Sequence, residues 1–232
     1  MAFTAGYTAR ILNGDFSLSA KLAQVTSTFG VDILYQTTFA DAGVKRSMPG
    51  LDSSTFACEG FIDAATAADN TAWTAAQPFT YGPSGLALGS PVFMVEAFKT
   101  DYEIGTQVGG ITSFNITGQT DGFTDFGYSL KDLAAITSDT SGAAFDGTAA
   151  TTAGGVAHLH VTAFAGFSGA VVIVEDSATG SSGWATIGTF TTVAGLTSQR
   201  LAIAGNVRRY LRYSIDVTGT GSVTFAVAVA RR

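Results

Sequence analysis

Ionic side chains are scarce in this chain: Asp, Glu, Lys and Arg make up 13% of its 232 residues, about half the share usual in a soluble domain. A surface so poor in charge gives separate copies little mutual repulsion, which suits a protein that hides much of itself in an assembly. Cysteine is nearly absent. Cys58 stands alone, which excludes an intramolecular disulfide. In FACEGFID it shares parity with Phe56 and Ile62, so it reads as a small core residue. Histidine occurs only at positions 158 and 160, which leaves little for a metal centre or for base catalysis. No apolar run approaches the roughly 18 residues of a membrane-spanning helix. MAFTAGYTAR lacks the basic-then-apolar layout of a secretory leader, so export by that route is not expected.

Hydrophobic residues make up 46% of the chain, enough for a real core, and the rest is dominated by Gly, Ala, Thr and Ser. From about Val156 to Ala230 the chain reads as strands split by Gly, Thr and Ser turns. SVTFAVAVARR sets Val223, Phe225, Val227 and Val229 on one face and Thr224, Ala226 and Ala228 on the other, the period of a strand with one face on a core. Arg231 and Arg232 are then expected at the edge of a folded module. In VRRYLRYSIDV the set Val207, Leu211, Tyr213, Ile215 and Val217 points inward. FSLSAKLAQ, VDILYQTTF, TFACEGFID, PVFMVEAFK and GGITSFNITG give the front half its strands. A helix is expected between Asp63 and Gln77, where AATAADNTAWTAAQ is Ala-rich with Asp69 or Asn70 as a cap. A second, short helix is expected from Ser129 to Ile136.

Charge divides unevenly. Residues 1–150 hold six basic against fifteen acidic residues, and residues 151–232 hold six arginines against three acids. The acidic front half argues against a surface that grips nucleic acid. SDTSGAAFDGTAATTAGG has linker composition, and the charge changes sign nearby. The expected division is residues 1–145, a linker at 146–155, and residues 156–232.

Catalytic signatures are missing. GFSGA around Ser168 lacks the Gly-x-Ser-x-Gly elbow. No phosphate-cradling loop is present. His158 and His160 share a strand face, but nearby sequence adds no third ligand, so a strand face at a domain seam is the better reading. Trp184, Tyr210 and Tyr213 raise the idea of a sugar-stacking platform; Tyr210 and Tyr213 have opposite parity, and Trp184 reads as a core or rim residue. No enzyme activity, cofactor or metal is expected.

ADAGVKRSMPGL, between Phe39 and Leu51, is the most suggestive segment. Read blandly it is a solvated hairpin loop. Read functionally it is a protruding hairpin that docks on a neighbouring copy, with the mixed charges of Asp41, Lys45 and Arg46 setting register and Val44, Met48 and Pro49 adding apolar area.

Several residues in order resemble a known family. Thr37-Thr38-Phe39-Ala40-Asp41, the pair Lys45-Arg46, Pro49-Gly50-Leu51-Asp52 and Gly60-Phe61-Ile62-Asp63 are similar to the core signature of tailed-bacteriophage major tail tube proteins. His158-Leu159-His160-Val161-Thr162-Ala163-Phe164, Gly183-Trp184, Gln199-Arg200-Leu201, Arg209-Tyr210-Leu211-Arg212 and Phe225-Ala226-Val227-Ala228 resemble the extra β-sandwich that long-tailed phages append to tail proteins. The resemblance implies a mainly β fold: a tail-tube-like β-barrel or sandwich with a flanking α-helix, plus a C-terminal β-sandwich that decorates the outside. It implies self-association into stacked, hexameric rings around a lumen, contact with other tail proteins, and a place in the virion tail after assembly in the host bacterial cytoplasm. Viral DNA would pass through the acidic lumen without specific binding, and no membrane is involved. It assigns the contact between rings to Val44, Lys45, Arg46, Met48 and Pro49. The alternatives are a carbohydrate-binding module or another virion decoration protein.

Overall fold

A computed structural model describes residues 8–19, 22–36, 44–52, 54–62, 73, 75–106 and 108–232. They form β1 (Arg10–Asn13), β2 (Phe16–Ser17), β3 (Leu22–Thr28), β4 (Val31–Tyr35), β5 (Ser47–Asp52), β6 (Thr55–Phe61), β7 (Gln77–Gly82), β8 (Pro91–Gly105), β9 (Ser113–Ile136), β10 (Thr140–Ser141), β11 (Phe145–Asp146), β12 (Gly155–Ser177), β13 (Ala185–Thr189), β14 (Thr197–Ile203) and β15 (Tyr210–Arg231). The fold is mainly β and antiparallel. The chain forms two compact units. One contains residues 1–20, 77–96 and 125–232; the other contains 21–76 and 97–124.

The first unit is built on β12 and β15, which pair antiparallel from Gly155↔Arg231 to Ser177↔Tyr210. Three register shifts interrupt that ladder, between Val161 and Gly169. Bulges of this kind bend a strand and let its two halves serve different neighbours. Gly166 sits among them at φ +80, and a Cβ there would strike the Thr220 carbonyl, so only glycine fits. The first stretch of β12 takes β14 as its outer neighbour, and the last stretch takes β13. The closing stretch of β15 pairs with β9, and its opening stretch with β10 and β11.

The alternation in SVTFAVAVARR is real, but both faces are buried. Val223, Phe225, Val227 and Val229 join Leu159, Val161, Leu211 and Ile215 in one core. Ala226, Ala228 and Ala230 join Leu12, Leu86, Val92 and Met94 in a second. Alanine on that face leaves room for Leu12 of β1 and for Val92 and Met94 of β8. Each fully buried Leu, Val or Phe contributes about 1.5–3 kcal/mol, so β15 serves two cores at once. Arg231 and Arg232 are accordingly held: Arg231 donates to the Arg208 and Arg209 carbonyls, and Arg232 to Asp125.

The second unit is the ladder β3–β6–β9. Leu22 to Thr28 pair with Gly60 to Thr55, and Thr55 to Phe61 with Gln119 to Ser113. Phe56, Cys58, Phe114 and Ile116 are buried. Trp73 stacks on Phe56 with ring centroids 5.4 Å apart and donates Nε1–H to the Ala97 carbonyl. Burial pushes the Cys58 thiol up to about 12, as the core reading expects. β4 and β5 form a separate two-stranded sheet.

One expectation needs correction. Residues 129–136 are strand, not helix. They lie in β9 and pair with β15 through two register shifts. Lys131 Nζ stabilises the irregular stretch by donating to the Asp132, Ala134 and Phe225 carbonyls. Tertiary pairing there outweighs the local preference of KDLAAI for helix. The flanking helix between Asp63 and Gln77 falls almost wholly outside the described residues; Gln77 opens β7, and no α-helix occurs among the described residues. Each compact unit is discontinuous in sequence. Segment 146–155 lies inside the first unit: Asp146 pairs with Tyr210, and Thr151 exchanges two backbone hydrogen bonds with Val207. Small polar residues that contribute no core are fixed here by their backbone.

Candidate functional site

The ribbon of β4 and β5 pairs Val31 with Asp52, Ile33 with Pro49, Leu34 with Met48 and Tyr35 with Ser47. Successive residues of a strand point to opposite faces. VDILY carries apolar side chains at both parities, a pattern that normally belongs to a strand covered on both sides. Here all of β4 is exposed: Ile33 is 62% accessible, Leu34 52% and Tyr35 61%. Met48 and Val44 are exposed as well. A two-stranded ribbon alone is marginally stable in water, and contiguous exposed apolar surface marks interaction sites.

All five residues singled out from the sequence sit on this ribbon. Val44, Lys45 and Arg46 immediately precede β5, and Met48 and Pro49 lie within it. The far end is tied together locally. Gln36 N–H donates to the Arg46 carbonyl at 3.0 Å, Gln36 Nε2 donates to the Met48 sulfur, and Lys45 Nζ lies 3.9 Å above the Tyr35 ring. The connecting residues 37–43, Asp41 among them, lie outside the described residues. Ile33, Leu34 and Tyr35 escaped the sequence reading. Their signal was present: an apolar run at both parities beside a basic pair.

The other candidates resolve otherwise. His158 and His160 are buried in the first unit. Thr80 Oγ1 lies 3.1 Å from His158 Nδ1 and 2.8 Å from His160 Nε2, and His160 Nδ1 lies 2.7 Å from the Gly14 carbonyl. Burial, the neighbouring His160 and Arg200 hold His158 well below the usual imidazole range, and burial takes His160 down to about 4. No cluster of three or more His, Cys, Asp or Glu able to hold a metal occurs among the described residues. Ser168 donates to the Thr218 carbonyl and has no histidine partner. Trp184 is half-buried with the Arg212 guanidinium 4.3 Å from its ring, and Arg212 pairs with Glu175. That face of the indole is therefore already covered. Tyr213 packs against Phe225 in the core, whereas Tyr210 lies under Arg209, so the three aromatics form no shared platform.

The arginines of the last third are paired. Arg208 bonds Asp176, Arg209 bonds Asp146, Arg212 bonds Glu175, Arg232 bonds Asp125, and Arg200 lies 3.9 Å from Glu96 and 3.6 Å from Asp125. Three of these acids come from the front half, so the imbalance seen along the sequence is compensated within one unit. The second unit remains acidic, with nine acids against four basic residues.

No family model matches the chain, and no curated protein matches it. Among solved structures, a chain of the virion of a native gene transfer agent particle is 15% identical with a TM-score of 0.43, covering 53% of this chain and 98% of that one. A chain of the tail of an empty gene transfer agent particle, of C6 symmetry, is 14% identical with a TM-score of 0.44 over the same shares. The Dit protein of phage SPP1, a hub of the adsorption apparatus, is 9% identical with a TM-score of 0.36, covering 94% of this chain and 98% of that one. At such levels of superposition the likeness decides nothing about this chain, and its role is argued from its own residues.

Proposed function

We propose that this chain is a structural subunit of a bacteriophage tail tube. Copies join into rings, hexameric in the simplest arrangement, and rings stack around a lumen through which DNA passes without specific binding. Residues 156–232 serve as decoration on the outside of the tube. The carrying observation is the β4–β5 ribbon, whose apolar side chains are exposed on both faces. A neighbouring copy that covers Ile33, Leu34, Tyr35 and Met48 removes that surface from water, at about 25 cal/mol per Å². Lys45 and Arg46 then supply register against an acidic neighbour. The negative balance of the second unit suits a conduit that repels DNA. Scarcity of charge across the chain removes a barrier to self-association.

The test is electron microscopy of the purified protein beside an Ile33→Asp, Leu34→Asp variant. The wild type is expected to form rings or tubes, and the variant to remain dispersed with unchanged circular dichroism. A wild type that stays monomeric at high concentration overturns the proposal. Assemblies that persist in the variant relocate the contact away from the ribbon.

A further inference from the structure

The two buried histidines belong to no part of that role, and their hydrogen bonds admit one arrangement. The Gly14 carbonyl only accepts, so His160 Nδ1 carries a proton and donates to it across 2.7 Å. In a neutral ring Nε2 then accepts, and its partner at 2.8 Å is the Thr80 hydroxyl. Thr80 has one proton and spends it there. Its oxygen therefore accepts at 3.1 Å from His158 Nδ1–H. His158 Nε2 is left bare, fully buried, with no hydrogen-bond partner among the described residues. The relay runs from β12 through β7 to the β1–β2 turn, and this arrangement leaves both rings neutral.

The surroundings offer a proton no compensation. Across the ladders His158 faces Arg200 on β14 and Ala228 on β15; His160 faces Ser198 and Ala226. β2 and β7, which also lie against β12, contribute no carboxylate; Tyr81 is the titratable residue of β7. Asp15 adjoins Gly14 in the turn but bonds neither ring, and Glu96 on β8 is engaged by Arg200. The ring centroids are 6.0 Å apart. A proton on His160 Nε2 turns an acceptor into a donor and displaces the Thr80 hydrogen. A proton on His158 Nε2 has no acceptor at all.

We propose that the His158–Thr80–His160 relay is an acid-released latch, which clasps the β1–β2 turn and β7 onto β12 at neutral pH and lets them go in acid. The latch opens locally, ahead of the β12–β15 ladder, because that ladder is held by its own long run of backbone pairs and by the apolar core beneath it, whereas the turn at Gly14 and Thr80 of β7 are clasped by the two imidazoles.

Nitrogen NMR of the imidazoles with amide hydrogen exchange on the full chain tests it. At pH 7 both rings are expected to carry the proton on Nδ1. Between about pH 6.5 and pH 4, exchange at Ile11, Leu12 and Asn13, corrected for intrinsic rates, is expected to accelerate at least tenfold more than at Val227 and Val229. A His158→Leu, His160→Gln variant keeps a donor to Gly14 and an acceptor for Thr80 without titrating, and its exchange is expected to be flat over that range. Thr80→Val keeps both rings but cuts the relay, and β1 is expected to exchange faster already at pH 7. Either ring found in the other tautomer, a wild type whose β1 protection holds through pH 4, or a Thr80→Val variant as protected as the wild type overturns the latch.

Discussion

Arg232 and Asp125 meet in two parallel hydrogen bonds of 2.8 and 2.9 Å, tying the residue after β15 to the middle of β9. The partners differ in exposure: Asp125 is 7% accessible and Arg232 43%. Loss of the acid therefore takes the partner from Arg232 and leaves Arg200 with Glu96 alone, whereas loss of Arg232 leaves Asp125 near Arg200. Arg232→Ala is expected to cost about 1 kcal/mol and Asp125→Ala about 2 kcal/mol or more. Urea denaturation of the two variants side by side reads the order; equal costs contradict this account of the pair.

Gly127 carries a second expectation. A Cβ there would strike the Val229 carbonyl and the Ala230 Cα, both backbone. Its conformation is ordinary, so the constraint is the close approach of β9 to β15. Gly127→Ala is expected to destabilise by about 2 kcal/mol or more, with a lower thermal midpoint. Gly109→Ala, where a Cβ meets nothing within 4 Å, is the control for loss of a glycine; its φ of +77 carries its own smaller strain.

Acid stability follows from His160. Burial lowers its pKa from 6.5 to about 4. The unfolded ring takes a proton first, so stability is full above about 6.5 and falls as pH drops toward 4, flattening below. The lowered value corresponds to about 3 kcal/mol at most over that window. Chemical denaturation at steps between pH 7 and 4 measures the slope, which His160→Gln is expected to reduce.

Lys131 gives the opposite limb. Burial takes its ammonium from 10.5 down to about 8, although three carbonyls receive its protons. Between those values the unfolded chain holds more protons, so stability rises with pH from about 8 and levels off near 10.5. Lys131→Met is expected to flatten that rise. A stability curve unchanged by the substitution contradicts the assignment.

At the ribbon, Lys45 and Tyr35 close the described end by a contact of a cation over a ring. Lys45→Glu is expected to leave the monomer's stability within about 0.5 kcal/mol while slowing assembly, read by light scattering and by its dependence on salt.

The sequence made some of this legible and hid the rest for physical reasons. The inward set Val207, Leu211 and Ile215 could be read from period two, because a half-covered strand separates its faces by polarity. The second core could not, because alanine at 226, 228 and 230 looks the same on a solvated face as on a buried one. Residues 129–136 misled because KDLAAI lacks alternation and its strand state is imposed by β15 and by the Lys131 bonds. The two histidines were placed on one face of a strand correctly; their partners, Thr80 and Gly14, lie far away in the chain and left no local sign. The ribbon's basic pair stands out in the sequence, while its apolar strand VDILY has the composition of any covered strand.

Because β15 contributes side chains to both cores of the first unit, neither can close while the ribosome is still making that strand. β1, β7 and β8 emerge long before it and must wait, their apolar residues uncovered. Closure of this unit is therefore dominated by pairings distant in sequence, which makes it slow. A polypeptide interrupted before Tyr210 lacks the β15 side chains of both interiors together.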